Sequence, residues 1–146
     1  MLLEKLGTIQ CTSRSKVLPV EGALPSFEVT AEGPGTLAGA DVNSLATYQG
    51  RVRADGFLEG ECPNSGVIMT GDGVATFRAT GIGSFTEDGG SSWKGVVYFN
   101  ATAPSLASLN GVAVAYTWDV DVDGNATWEL WSLKYHTTKA VLVDKF

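Results

Sequence analysis

The sequence predicts an all-β protein: a single antiparallel up-and-down β-barrel of about eight strands spanning residues 1–146, with one short helical turn. Three observations predict it. Apolar and polar residues alternate along much of the chain, whereas a 3.6-residue period barely occurs. The 18 glycines are spread over the whole length without a three-residue repeat, as many short turns require. Most of the alternating runs are separated by only a few turn residues, so successive strands are joined as hairpins. A meander of that many twisted strands tends to close on itself and so remove its edges. A β-sandwich is the alternative, because alternation alone does not establish closure.

A first strand is expected over Gly7–Ser13, a second around Phe27–Thr30, and a third from Leu45 onward, with Gly33-Pro34-Gly35 as the break between the latter two. The next hairpin is the best specified. Ala46–Arg53, the loop Ala54-Asp55-Gly56 and Phe57–Cys62 place Val52 opposite Leu58, Gly50 opposite Gly60 and Tyr48 opposite Cys62 on an apolar face. The other face then pairs Arg51 with Glu59 and Gln49 with Glu61, opposite charges facing one another as a solvated sheet prefers. A slip of one residue would mix the faces.

Val67–Thr70, the loop Gly71–Gly73 and Val74–Thr80 form the following hairpin, with Met69 opposite Ala75 and Val67 opposite Phe77. Glu87–Gly90 separates that strand from Trp93–Phe99, whose apolar character on both faces over Val96–Phe99 predicts cover on both. Ser105–Asn110, between Pro104 and Gly111, is the helical turn, capped by its serine. Its Leu106 and Leu109 form a lid over one end of the sheet. Paired glycines, Gly50 with Gly60 and Gly81 with Gly83, mark sharp bending.

The stretch WDVDVDGNATWELW, Trp118–Trp131, resembles a calcium loop but reads as a hairpin. An EF-hand needs a glutamate at its twelfth position. Counted from Asp119 that position is Leu130, and both flanks alternate with period two rather than 3.6. A loop Asp123-Gly124-Asn125, with Asn125 left-handed, sets Val120 opposite Trp128, Trp118 opposite Leu130 and Tyr116 opposite Ser132. Trp118 and Trp128 become diagonal neighbours on an apolar face. Asp119, Asp121 and Glu129 fall on the acidic, solvated face.

Composition narrows the function. The net charge of −6 argues against sequence-independent nucleic-acid binding. No run approaches the roughly 20 apolar residues of a membrane helix. The start, MLLEKLGTIQ, has no signal-peptide run and carries Glu4 early. A soluble cytoplasmic protein is therefore expected, in which Cys11 and Cys62 stay reduced and the Asn100 and Asn125 sequons carry no weight. No metal cluster, phosphate loop or nucleophile motif occurs, and no cofactor is expected. Gly81-Ile82-Gly83 lacks a following helix. His136 lies past the last strand as a tail residue, and Arg78 shares an outer face with Val74, Thr76 and Thr80.

Gly71–Gly73, Phe77–Gly83, Trp93–Gly95, Leu106–Gly111 and Val120–Asn125 together resemble a group of small bacterial and archaeal β-barrel proteins of unassigned function, over most of residues 7–134. In architecture the glycine-rich strands are also similar to the barrel of allene oxide cyclases and dirigent proteins, although no catalytic motif of those families aligns residue by residue. The resemblance implies an apolar barrel cavity that holds or folds a small ligand. From the strand faces, its wall is expected to comprise Tyr48, Val52, Leu58, Cys62, Met69, Phe77, Tyr116, Trp118, Trp128 and Leu130. The first functional reading is a barrel that binds a small apolar ligand. The second is a cofactor-free isomerase or cyclase. The third is a structural or oligomerising barrel with a filled core, and a homo-oligomer is compatible with each. Tyr48, Tyr116 and Cys62 are the only titratable groups on the apolar faces, which favours binding over acid–base catalysis.

Overall fold

A computed structural model of the chain describes residues 2–19, 22 and 24–134; His136 lies outside them. The strands are β1 (Leu2–Val17), β2 (Ser26–Leu37), β3 (Ala40–Val52), β4 (Leu58–Thr70), β5 (Gly73–Phe85), β6 (Ser91–Ala101), β7 (Val114–Val120) and β8 (Asn125–Lys134), with a 3-10 turn over Pro104–Leu109. Each strand pairs with the next, all pairs are antiparallel, and β8 pairs with β1. The up-and-down barrel is therefore closed and has no edge strand.

Turn chemistry sets the registers. Three hairpins share one loop pattern: Ala54-Asp55-Gly56, Glu87-Asp88-Gly89 and Val122-Asp123-Gly124. The glycines have φ of +89°, +91° and +89°, and each donates its N–H to the carbonyl of the residue before the loop. This is the three-residue connection in which a left-handed residue follows a tight turn. Between β2 and β3, Ala38 and Gly39 both have positive φ (51° and 82°), the pattern of a two-residue hairpin whose twist matches its strands.

The register expected for β3 and β4 holds at Val52–Leu58, Arg51–Glu59, Gly50–Gly60 and Gln49–Glu61. Arg51 and Glu59 form an exposed ion pair. The expected Tyr48–Cys62 pair does not form, because β4 leaves its ladder with β3 after Glu61 and rejoins it only at Gly66. The next hairpin is tighter than expected. Thr70 pairs with Gly73 and Met69 with Val74, so only Gly71-Asp72 forms the loop. That one-residue slip sends Met69 outward, 40% exposed, and turns Ile68 and Gly66 inward. In the β7–β8 hairpin, Gly124 rather than Asn125 takes the left-handed position. The register slips by two, which preserves the faces and sets Trp118 directly opposite Trp128.

Two further expectations are corrected. Gly33-Pro34-Gly35 lies within β2, not between strands. The backbone of β1 passes so close that a Cβ on Gly33 or Gly35 would collide with the carbonyl oxygen of Gln10 or Thr8. The outer face of β6 is not covered: Tyr98 is 41% exposed, and the Arg78 guanidinium lies over its ring at 4.5 Å. Arg78 is an outer residue, as expected.

The 3-10 turn closes one barrel end with Leu106 and Leu109, 0% and 1% exposed. Its N-terminus is capped from another element rather than by its own serine. Asp72, in the β4–β5 loop, accepts the Ser105 N–H at 2.8 Å and the Ser105 hydroxyl at 2.7 Å. Asn110 pins the other side, accepting the Ala101 N–H and donating to its carbonyl.

A row of residues in register runs once round the barrel. It passes from Phe27 through Gly50, Gly60, Gly81, Gly95, Tyr116, Leu130 and Gly7, and regains β2 at Leu37. The stagger is thus ten residues for eight strands. Four consecutive strands contribute glycine to this row, so that sector of the inner wall is bare backbone.

Two measurements check this description. Gly66→Ala would push a methyl into the Phe77 ring and should destabilise the fold by about 1–3 kcal/mol. Gly71→Ala, with open space around it, should stay within about 0.5 kcal/mol of the parent in urea unfolding. The hydrogen bonds from Thr70 and then from Ser105 hold the Asp72 carboxyl below its ordinary 3.8. A depressed carboxyl stabilises the lid above that ordinary value and loses this as pH falls through its folded pKa. Hydrogen-exchange protection of the Ser105 amide should therefore drop in acid, and drop at neutral pH in Asp72→Ala, with barrel amides unchanged.

Candidate functional site: an aromatic cavity inside the barrel

The bare glycine wall lets large rings lie against it. Tyr116 crosses Gly95 and Gly81, where added Cβ atoms would sit 2.6 and 2.5 Å from its Oη. Its hydroxyl donates to the Thr80 carbonyl at 3.0 Å. Trp93 covers Gly60 and Gly83, with added Cβ atoms 2.9 and 2.7 Å from its ring, and its Nε1–H donates to Ser91 Oγ at 3.0 Å. Phe77 covers Gly66 in the same way. A Cβ at any of these glycines would displace a ring.

The rings meet one another edge to face. Trp118 and Trp128 have centroids 6.3 Å apart at 86°, Tyr48 and Trp118 6.3 Å at 86°, and Tyr116 and Trp128 6.0 Å at 79°. Such pairs contribute about 0.5–1.5 kcal/mol each beyond their burial. The Trp118 Nε1–H also donates to the Tyr48 hydroxyl at 3.0 Å, which fixes both rings. Perpendicular planes do not tile a volume, and a cavity of about 70 Å³ remains among them.

Beside the cavity the wall is interrupted. β4 leaves its ladder with β3 after Glu61 and its ladder with β5 after Cys62, and rejoins both at Gly66. Pro63, Asn64 and Ser65 are exposed there, and Asn64 has a φ of +57°. Cys62, at the root of this bulge, lines the cavity together with Ala46 and Tyr48 of β3.

Six of the residues expected from the sequence line this space: Tyr48, Cys62, Phe77, Tyr116, Trp118 and Trp128. Leu58 and Leu130 are fully buried but pack in the core away from it, and Val52 is half-buried against the same core. Met69 faces solvent, for the register reason given above. Trp93, Cys11, Ala31, Ser44, Ala46 and Ala79 line the cavity and were not anticipated. Trp93 was discoverable: it alternates with Val97 and Phe99, both inward, but the apolar outer face of β6 hid the period.

The titratable groups here are held neutral. Burial pushes the Tyr48 phenol up to about 12 despite the hydrogen bond from Trp118, and pushes Tyr116 up further. Burial, and secondarily the charge of Glu32, raises the Cys11 thiol to about 11; burial also raises Cys62. Neither cysteine is in a disulfide. None of these groups is poised to exchange a proton near neutrality. At the barrel end, Asp121 Oδ1 accepts the N–H groups of Asp123 and Asn125, both at 2.9 Å, and Asp119 accepts the Ser92 hydroxyl. The aspartates of the DVDVDG stretch thus include one that builds its own turn. Among the described residues no cluster of three or more His, Cys, Asp or Glu side chains suits a metal ion.

Fold and site together define a small closed β-barrel with an aromatic cavity at its centre. Two solved structures share that fold: a conserved protein of unknown function from Rhodopseudomonas palustris and a protein of unknown function from Clostridium acetobutylicum. The first has a TM-score of 0.75 at 13% identity, over 90% of this chain and 96% of the other. The second has a TM-score of 0.76 at 13% identity, over 92% of this chain and all of the other, 100%. Both are barrels of unassigned function, as the sequence resemblance implies; at this identity the likeness concerns the fold. No protein-family model matches the chain, and no curated protein matches it.

The raised pKa values have a consequence for stability. Cysteines and tyrosines of the unfolded chain ionise from their ordinary 9.0 and 10.0 upward, whereas Cys11 and Tyr48 in the fold wait until about 11 and 12. Between those values the unfolded chain binds fewer protons, so stability falls as pH rises. Urea midpoints should be level below about pH 9 and decline steadily from there to pH 12; a level profile throughout would mean that water reaches these groups.

Proposed function

We propose that this protein binds one small, neutral, mainly apolar molecule in its central cavity, as a binding protein rather than a catalyst. The observation that carries this reading is the cavity of about 70 Å³ lined by Tyr48, Phe77, Trp93, Tyr116, Trp118 and Trp128. Apolar voids of roughly 150 Å³ in protein interiors stay dry and take up benzene or xenon. This one is about half that size and suits a molecule of a few heavy atoms. The bulge at Pro63–Ser65 supports an entry route, since backbone held by neither ladder moves at little cost.

A cofactor-free isomerase or cyclase, in the manner of the allene oxide cyclase and dirigent barrel, is the second reading. It is favoured by the same cavity, which could fold a reactive substrate. The neutral state of every inward titratable group supports binding ahead of it. The outer face is mixed: Glu28, Gln49, Arg51, Glu59, Arg78, Lys94 and Glu129 lie on strand positions there among exposed Leu45, Val74 and Ile82, whereas a membrane barrel carries a continuous apolar band. This and the two buried free thiols support an aqueous, cytoplasmic setting.

Xenon tests the proposal. Xenon-129 NMR should show a bound environment in the wild-type protein. Ala31→Leu, which fills the cavity from β2, should abolish it without loss of fold. Trp128→Ala should cost about 3–5 kcal/mol and be partly rescued by added indole. If the wild-type protein takes up no xenon, the filled structural barrel becomes the better reading.

A further inference from the structure

The polar atoms of the cavity narrow the ligand, on the premise that the cavity binds one. Three of its aromatic residues have paired donors: Tyr116 with the Thr80 carbonyl, Trp93 with Ser91 and Trp118 with the Tyr48 hydroxyl. Three other residues do not. Tyr48 accepts from Trp118 at 3.0 Å, and its own O–H proton goes to no acceptor among the described residues. Ser44, on β3, is only 4% exposed and lines the cavity. Its hydroxyl has no hydrogen-bond partner among the described residues, and neither does the Nε1–H of Trp128. Buried donors are ordinarily paired. Here the Ser44, Tyr48 and Trp128 side chains border the cavity.

Charge narrows it further. No Lys, Arg or His lines the cavity, so a buried anion would find no partner. Glu61 is the one acidic residue in the lining, and its register opposite Gln49 on the outer face directs it to solvent. A buried cation would therefore have rings but no carboxylate.

We infer that the cavity selects a neutral molecule bearing a hydrogen-bond acceptor, a carbonyl or ether oxygen, which Tyr48 and Ser44 recognise. Ser44 lies four residues before Tyr48 on the inner face of β3, so both donors come from the strand beside the β4 bulge. This rests on the binding reading above.

Acetone and 2-methylpropene have nearly the same shape and differ in the acceptor. Both are titrated against the wild-type protein, Tyr48→Phe and Ser44→Ala, following backbone and indole N–H shifts by NMR. Each substitution should weaken acetone about tenfold, the size of one lost buried hydrogen bond. Each should leave 2-methylpropene within about twofold. Ser44→Ala disturbs no existing bond, so it decides the matter if Tyr48→Phe loosens Trp118. The inference is overturned if the two affinities move together in the variants, if 2-methylpropene binds and acetone does not, or if tetramethylammonium binds more tightly than acetone. If neither probe nor xenon binds, the binding reading falls as well.

Discussion

The absence of side chains along Gly50, Gly60, Gly81 and Gly95 is the constraint on which the rest of the interior depends. An eight-stranded barrel leaves an interior just wide enough for side chains or one small guest. Ordinary residues in this row would bring their own Cβ atoms into a space now held by Tyr116 and Trp93. With glycine there, those rings lie against backbone, and Tyr48 meets Trp93, and Trp128 meets Tyr116, edge to face. Ring size, ring orientation and the residual void follow from which strands lack Cβ atoms. The same row fixes the stagger, since its residues are partners across every hairpin and across the β1–β8 seam.

How much of this was legible in the sequence depended on the turns. Ala54-Asp55-Gly56 declared its register because a single glycine stood in the place where a left-handed residue is needed, and cross-strand charges agreed with it. In the Val122–Asn125 region two residues compete for that place. Asparagine tolerates the left-handed region, but glycine pays no steric penalty there, and the structure uses Gly124. The error was harmless to the faces, because a slip of two preserves the pleat. At Gly71–Gly73 two glycines flank one aspartate, the slip was of one residue, and Met69 changed sides. Parity, more than distance, decided which site residues could be read in advance.

Other features left no local signal. Pro34 is an ordinary strand breaker by propensity, yet it sits inside β2, because its neighbours Gly33 and Gly35 are required by the approach of β1. The bulge of β4 arises from a segment, Pro63-Asn64-Ser65, with no alternation to lose. Ser44 and Ala46 are small and unremarkable in sequence, and become part of a cavity only because of the rings opposite. The cavity is a leftover volume among distant residues, and no period in a single strand encodes it.

The seam between the first and last strands carries a kinetic implication. Every other pairing in the barrel joins strands that are consecutive along the chain. The β1–β8 pairing joins Leu2–Thr12 to Asn125–Lys134, almost the full length of the described chain. Such a contact carries the largest loop-closure entropy and slows folding in proportion to its sequence separation. During synthesis β1 must wait, with one edge unpaired, until β8 has left the ribosome. Throughout that interval the nascent sheet exposes its aromatic face and two open edges, the state most prone to aggregation. Exposure of the nascent sheet therefore lasts until β1 and β8 meet, an interval that the finished barrel, which has no edges, conceals.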